Sequence, residues 1–259
     1  MNWAVKRQLF FISIFLGLIM LIIGILAVPK LIAKPTCTDT KQNGTEAGID
    51  CGGECPNFCP FEVNSAIVLW ARSFQSSTNT YNAVAYIENQ NSNAAIKSIP
   101  YEFKIYDENS IIITSRKGIA FIPPNGRTPI FESTISVGNR TPVRTSFEFI
   151  GKLDWIKVDS HIIENLPIVS RDNNLINIDT TPKLTSTIVN NSFYDLFDVE
   201  VVAILYNADG NAIAASKTVI DSLAKSSSVP VFFTWSKPFG DTISTIEVIP
   251  RINIFSVAF

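Results

Sequence analysis

The chain is poor in the residues from which most active sites are built. It has one histidine, His161, and four cysteines, all between Cys37 and Cys59. G-x-S-x-G, H-E-x-x-H and glycine-rich phosphate loops are missing, which removes the usual signatures of serine hydrolases, zinc peptidases and nucleotide-dependent enzymes. His161 lies in "KVDSHIIENLP", with no pattern that would make it a general base, and reads as a linker residue. Carboxylates are scattered through turns and do not define a glycosidase pair. The expected protein is not an enzyme and needs no cofactor. Clustered Lys and Arg are missing too. All 23 acidic residues, but only 17 of the 21 basic ones, follow Lys34, leaving that part with a formal charge of −6. Nucleic acid and anionic headgroups both require basic clusters, so the balance argues against them as partners.

Charge is absent altogether from Leu9 to Val28, a run with nothing more polar than Ser13. Twenty residues at about 1.5 Å each span the hydrocarbon core of a bilayer. A core helix would need a polar face, and none is present. A cleavable signal peptide starts in the same way but has a shorter apolar region and a small-residue cleavage site. Here the run continues into "PKLIAKPTC", which favours an uncleaved anchor. "AKPT" before Cys37 does not fit a lipoprotein. Lys6 and Arg7 precede the run and set an N-in, C-out orientation by the positive-inside rule, although Lys30 and Lys34 weaken the bias. Trp3, Phe10 and Phe11 suit the membrane interface. Gly17 and Gly24 are seven apart and do not form a helix-dimerisation spacing.

An exported segment meets an oxidising compartment, where disulfides are expected. The cysteines follow C-x13-C-x3-C-x3-C, which is neither a thioredoxin-type C-x-x-C nor a pair of zinc knuckles. Residues 35–60 have almost no apolar side chains beyond Ile49 and Phe58, so crosslinks must replace a core. The tightness of a Cys55–Cys59 loop enclosing Pro56 favours Cys37 with Cys55 and Cys51 with Cys59, and leaves the other pairings open. Gly52 and Gly53 allow a sharp turn. Asp39, Asn43, Glu46 and Asp50 place oxygen ligands in one short loop, as calcium requires. The same four residues are also ordinary turn formers.

This segment resembles a cysteine-rich motif of bacterial and archaeal surface proteins, C-x-D-G-x-x-N-x-x-E-x-x-V-D-C-G-G-x-C-x-x-C. Cys37, Asp39, Asn43, Glu46, Asp50, Cys51, Gly52, Gly53, Cys55 and Cys59 match it. Thr40 replaces the glycine, Ile49 replaces the valine, and one extra residue precedes the last cysteine. The resemblance implies a cell-surface module.

After Cys59 the chain reads as short strands, apolar residues alternating with polar ones between Asn, Gly, Ser and Pro turns. It also repeats: "AYIENQNSNAAIKSIPYEFKIYDENS" echoes "STIVNNSFYDLFDVEVVAILYNADGN", with Asn89 answering Asn190, Tyr106 answering Tyr206 and Phe131 answering Phe232. Two copies of about 100 residues have the size of an immunoglobulin-like sandwich. Neither contains cysteine. "FKIYD", with Phe103, Ile105, Tyr106 and Asp107, and "AILYN", with Leu205, Tyr206 and Asn207, resemble the signature strand of the FxLYD family of extracytoplasmic β-sandwich domains. That resemblance implies a fold and no catalytic role. Phe103 and Ile105 are expected in the core, with Asp107 and Asn207 capping a turn. Trp70, Trp155 and Trp235 read as packing anchors.

The expected fold is mainly β. Residues 1–8 form a cytoplasmic N-terminus, 9–28 a transmembrane anchor, 35–60 a disulfide-stapled segment, 61–163 the first sandwich and 164–259 the second. The expected protein is a membrane-anchored, non-catalytic surface protein that presents or spaces a binding surface for an unknown extracytoplasmic protein or envelope component. A structural subunit of an envelope or pilus-like assembly is the alternative. The sandwiches are expected to fold separately, joined by "IENLP" into a semi-rigid rod, with Phe232 in the core of the second.

Overall fold

The computed structural model describes residues 3–32, 35–159, 161–162 and 166–257. Lys34 and the expected boundary at residues 163 and 164 lie outside them. The chain divides into two compact units, residues 1–55 and 56–259.

The first unit holds α1, Trp3–Ile32, and the loop that follows it. The stretch Lys6–Leu26 is long and apolar enough to cross a membrane, and none of it is buried by the rest of the protein. Exposed Phe10, Phe11, Ile12 and Met20 lie about 0°, 100°, 200° and 280° around the axis at roughly 100° per residue, so no side of the helix suits water. The hydroxyl of Ser13 donates to the Phe10 carbonyl at 2.8 Å, which satisfies it without an outside partner. The guanidinium of Arg7 lies 5.6 Å from the Trp3 ring.

Among the described residues the second unit is β apart from a helical turn at residues 161–162 and a short 3₁₀ turn at Ile254–Ser256. Its first repeat supplies β1 (Ile67–Ser77), β2 (Thr80–Asn89), β3 (Ala94–Tyr106), β4 (Ile112–Ile122), β5 (Gly126–Ser136), β6 (Arg144–Phe149) and β7 (Ile156–Lys157). The second supplies β8 (Ile168–Ile176), β9 (Lys183–Asn190), β10 (Leu196–Tyr206), β11 (Ala212–Leu223), β12 (Ser228–Thr234) and β13 (Thr245–Arg251). In the first repeat the sheet β1-β2-β5 faces β4-β3-β6, with β7 beside β3. In the second, β8-β9-β12 faces β11-β10-β13. All pairings are antiparallel.

The repeat seen in the sequence is a repeat of this topology, and its two asparagines act alike. Asn89 is buried at the end of β2, where its amide donates to the carbonyls of Ala94 and Pro123, both at 2.8 Å. Asn190 is buried at the end of β9 and donates to Tyr194, Leu223 and Ala224 at 2.9, 3.2 and 3.0 Å. Its Oδ1 also accepts from the Ser192 amide at 3.0 Å. Each side chain ties a strand end to the loop crossing it, because buried carbonyls must find donors. Asn190→Leu keeps the volume and loses these bonds, so it is expected to cost about 2–3 kcal/mol in urea unfolding.

Each sandwich has its own core. Phe103, Ile105, Ile87 and Trp155 pack in the first, and Leu184, Ile188, Val201 and Phe233 in the second. A third apolar cluster joins the two sandwiches: Val84, Tyr86 and Phe131 of the first sandwich meet Val202, Ile204, Ala212 and Ala215 of the second, with Trp70 and Ile249 against them. The result is four layers, and the central strands of the middle two sheets, β2 and β10, bury apolar residues on both faces. Ala83–Ile87 in β2 and Val201–Leu205 in β10 are accordingly buried without a break. This corrects the expected rod. The sandwiches stack face to face because each presents an apolar outer face that water would not tolerate. Phe232 is corrected as well. It is 52% exposed on the open face of β12, under the Lys183 ammonium at 4.6 Å, and its neighbour Phe233 fills the core.

Candidate functional site

Two places gather polar chemistry: the stapled loop and the seam between the sandwiches. In the loop, Cys37 and Cys55 form a disulfide with Cα atoms 5.6 Å apart. Cys51 and Cys59 are disulfide-bonded too, and no cysteine is free. Cys37, Glu46 and Cys55 lie close enough to suggest a metal group, but sulfurs joined to each other offer no thiolate ligand. Gly52 and Gly53 both have positive φ, and a Cβ on Gly53 would lie 1.8 Å from the Thr45 carbonyl oxygen. Only glycine fits there.

Three of the four oxygen-bearing residues of this loop, Asp39, Glu46 and Asp50, accept bonds from its own backbone. Asp39 accepts from the Asn43 amide at 2.8 Å and from the Lys41 N–H at 3.0 Å. The Asn43 amide, foremost, holds the Asp39 carboxyl below the usual carboxylate range. Glu46 accepts from the Asn43 N–H at 3.1 Å, and Asp50 takes the Thr40 N–H on both oxygens at 3.1 and 3.0 Å. Asp39, Asn43 and Glu46 thus come together, while Asp50 closes the loop from the other side. Asn43 Oδ1 is buried and meets no donor among the described residues.

The strand-end residues of the second unit also cap turns. Asp107 Oδ1 accepts from the amides of Asn109 and Ile111 at 3.0 and 2.9 Å, and Asn207 Oδ1 from those of Asp209 and Asn211 at 3.2 and 2.8 Å. Phe103, Ile105 and Leu205 are buried, whereas Tyr106 and Tyr206 are half-buried at the strand ends. Trp155 lies in the first core. Trp70 packs at the seam and Trp235 against the second core. His161 is exposed in a short turn, where its N–H donates to Asp159 at 2.9 Å.

The polar groups of the seam were not anticipated from the sequence. On one side Arg251 of β13, its side chain 4% exposed, donates to Glu200 at 2.6 Å, to the Thr128 hydroxyl at 2.7 Å and to the Phe121 carbonyl at 3.2 Å. Burial pushes its guanidinium pKa down while Glu200 opposes this. Lys217 shares Glu200 at 3.2 Å. Further along, Glu247 accepts from Tyr86 at 3.1 Å and Tyr206 at 2.8 Å, one tyrosine from each sandwich, and burial followed by the nearby carboxylate raises both phenols. These bonds fix the register between the sandwiches, a specificity that apolar contact alone lacks.

At the other end the seam opens into a cleft of about 540 Å³ lined by Arg72, Ser73, Thr145, Arg144 and Asp241. Arg72 of β1 crosses to the second sandwich, donating to the Ala212 carbonyl at 3.1 Å and Asn211 Oδ1 at 2.9 Å. Arg144 lies flat on the Tyr106 ring at 4.0 Å. Asp241 accepts from the Asn207 amide at 2.7 Å, which holds its carboxyl low.

No protein-family model matches the chain, and no curated protein matches it. Among solved structures it is similar to part of a red sea bream transglutaminase, at 9% identity and a TM-score of 0.23, over 73% of this chain and 29% of that one. It is also similar to part of an Amycolatopsis orientalis exo-chitosanase, at 11% identity and a TM-score of 0.24, over 70% and 26%. The chain spans less than a third of either protein.

Proposed function

We propose that the chain is a single-pass membrane protein, cytoplasmic at its N-terminus, that holds a non-catalytic pair of FxLYD-like sandwiches outside the membrane to bind an extracytoplasmic component. The observation that carries this reading is α1, apolar on every side and without a buried face. The disulfides agree with an oxidising compartment on the far side of the bilayer. The outer face of β3 carries Glu102 and Lys104 beside Glu148 of β6, paired in water. Such a face resists further stacking, which favours a discrete binding block over the repeating subunit of a filament.

Protease added to intact cells is expected to remove residues 56–259 and leave the anchor behind. Full protection of that part, with digestion only after the membrane is permeabilised, would reverse the orientation.

A further inference from the structure

The cleft at the open end of the seam is lined by two arginines, Arg72 and Arg144, and one carboxylate, Asp241. Arg116, Arg127, Arg140 and Arg251 each lie between 2.6 and 3.7 Å from a carboxylate. Arg72 and Arg144 have no carboxylate in such a pair among the described residues, and both line the same cleft. Two guanidiniums against the one carboxylate of Asp241 leave this cleft with a net positive charge, in a part of the protein whose overall charge is negative. Their orientations are fixed, since Arg72 is held by Ala212 and Asn211 and Arg144 is stacked on Tyr106. Fixed donors bind a carboxylate with less loss of side-chain freedom.

The cleft also continues. A second chamber, of about 160 Å³, shares Phe74, Ile213 and Gly240 with the first. Its wall is the segment Trp235–Gly240, strapped to β1 by Ser236 donating to the Ser76 carbonyl at 2.9 Å and by Lys237 donating to Gln75. Trp235 and Phe239 meet edge to face at 5.2 Å. The Trp235 indole N–H is buried and has no acceptor among the described residues. An unmet buried donor is costly unless a partner arrives.

We propose that these two chambers bind an acidic oligosaccharide, its carboxylate between Arg72 and Arg144 and an adjoining sugar ring beside Trp235. An inorganic anion would fill only the arginine end. The walls combine aromatic and proline surfaces with short hydroxyl and amide groups, among them the Ser73–Thr145 hydroxyl pair at 2.9 Å and Asn82. That mixture suits a pyranose, with apolar ring faces and outward hydroxyls, better than the side chains of an acidic peptide. The proposal deepens the surface-protein reading and rests on it for where the ligand is met.

The test is calorimetry on the full chain in lipid nanodiscs, with tri-galacturonate as the probe, maltotriose as the uncharged control and tri-glutamate as the peptide control. Saturable binding of tri-galacturonate is expected, weakened about fivefold or more by Arg144→Gln and several-fold by Trp235→Phe, with maltotriose at least about tenfold weaker. Arg144 is exposed and phenylalanine keeps most of the Trp235 packing, so both variants should fold. No saturable heat, equal binding of maltotriose, indifference to both substitutions, or equal or tighter binding of tri-glutamate would each overturn the proposal. Because the assay uses purified protein, its failure leaves the orientation reading to stand or fall on the protease experiment.

Discussion

Phe233→Ala is expected to lower the unfolding free energy by about 3–5 kcal/mol, and Phe232→Ala, one residue earlier, by no more than about 1 kcal/mol. Phe233 is 2% exposed among Leu184, Ile188 and Val231, so truncation removes apolar burial and leaves a cavity. Phe232 lies on the opposite face of β12, beside Thr185 and near the Lys183 ammonium. It has only a cation–π contact and partial burial to lose. Chemical denaturation of the two variants measures the difference. A larger loss for Phe232→Ala than for Phe233→Ala would mean that β12 is slipped by one residue, which would turn its whole apolar set outward.

Ile204→Asp is expected to destabilise the protein by at least about 4 kcal/mol, since it puts an unpaired charge into a buried apolar cluster. Ile204 is 0% exposed, and its cover comes from the other sandwich. Were the sandwiches separate beads on a hinge, the same residue would face solvent and aspartate would be nearly neutral. A near-neutral result in urea unfolding therefore sinks the four-layer arrangement. The same reasoning reverses the expectation for residues 164–259 alone. Without the first sandwich, Val202, Ile204 and Ile249 would form an open apolar face, and the fragment is expected to aggregate.

The outer and inner faces of the stack differ at matching positions of the two repeats. Val84 pairs with Phe131 across β2 and β5, and at the matching place in the second repeat Thr185 pairs with Phe232. Val202 and Ile204 face the seam on β10, while β3 carries Glu102 and Lys104 at the matching positions, paired to each other and to Glu148. The two outermost faces thus carry threonines and ion pairs where the inner faces carry valine, isoleucine and tyrosine. Phe232 stays exposed because the position it inherits is covered only in the first repeat.

The sequence alone determined the elements whose causes are local. An uncharged run specifies a helix that suits a bilayer, because backbone groups satisfied within the helix and apolar side chains are what that solvent accepts. Cysteines in a segment with no core specify crosslinks. Asp107 and Asn207 specify turns through bonds to amides two and four residues on. The repeat specified two sandwiches, since each copy carries a full set of strand signals. The docking of those sandwiches was decided only by tertiary structure, although a trace lay in the unbroken runs "AVAYI" and "VVAIL" at 83–87 and 201–205. Alternation marks a strand with one wet face, as in β9, and an unbroken run marks burial on both faces. The run does not name what covers the second face. That choice depends on Arg251 meeting Thr128, 123 residues away, and on Tyr86 and Tyr206 converging on Glu247, contacts between distant positions that no local pattern encodes.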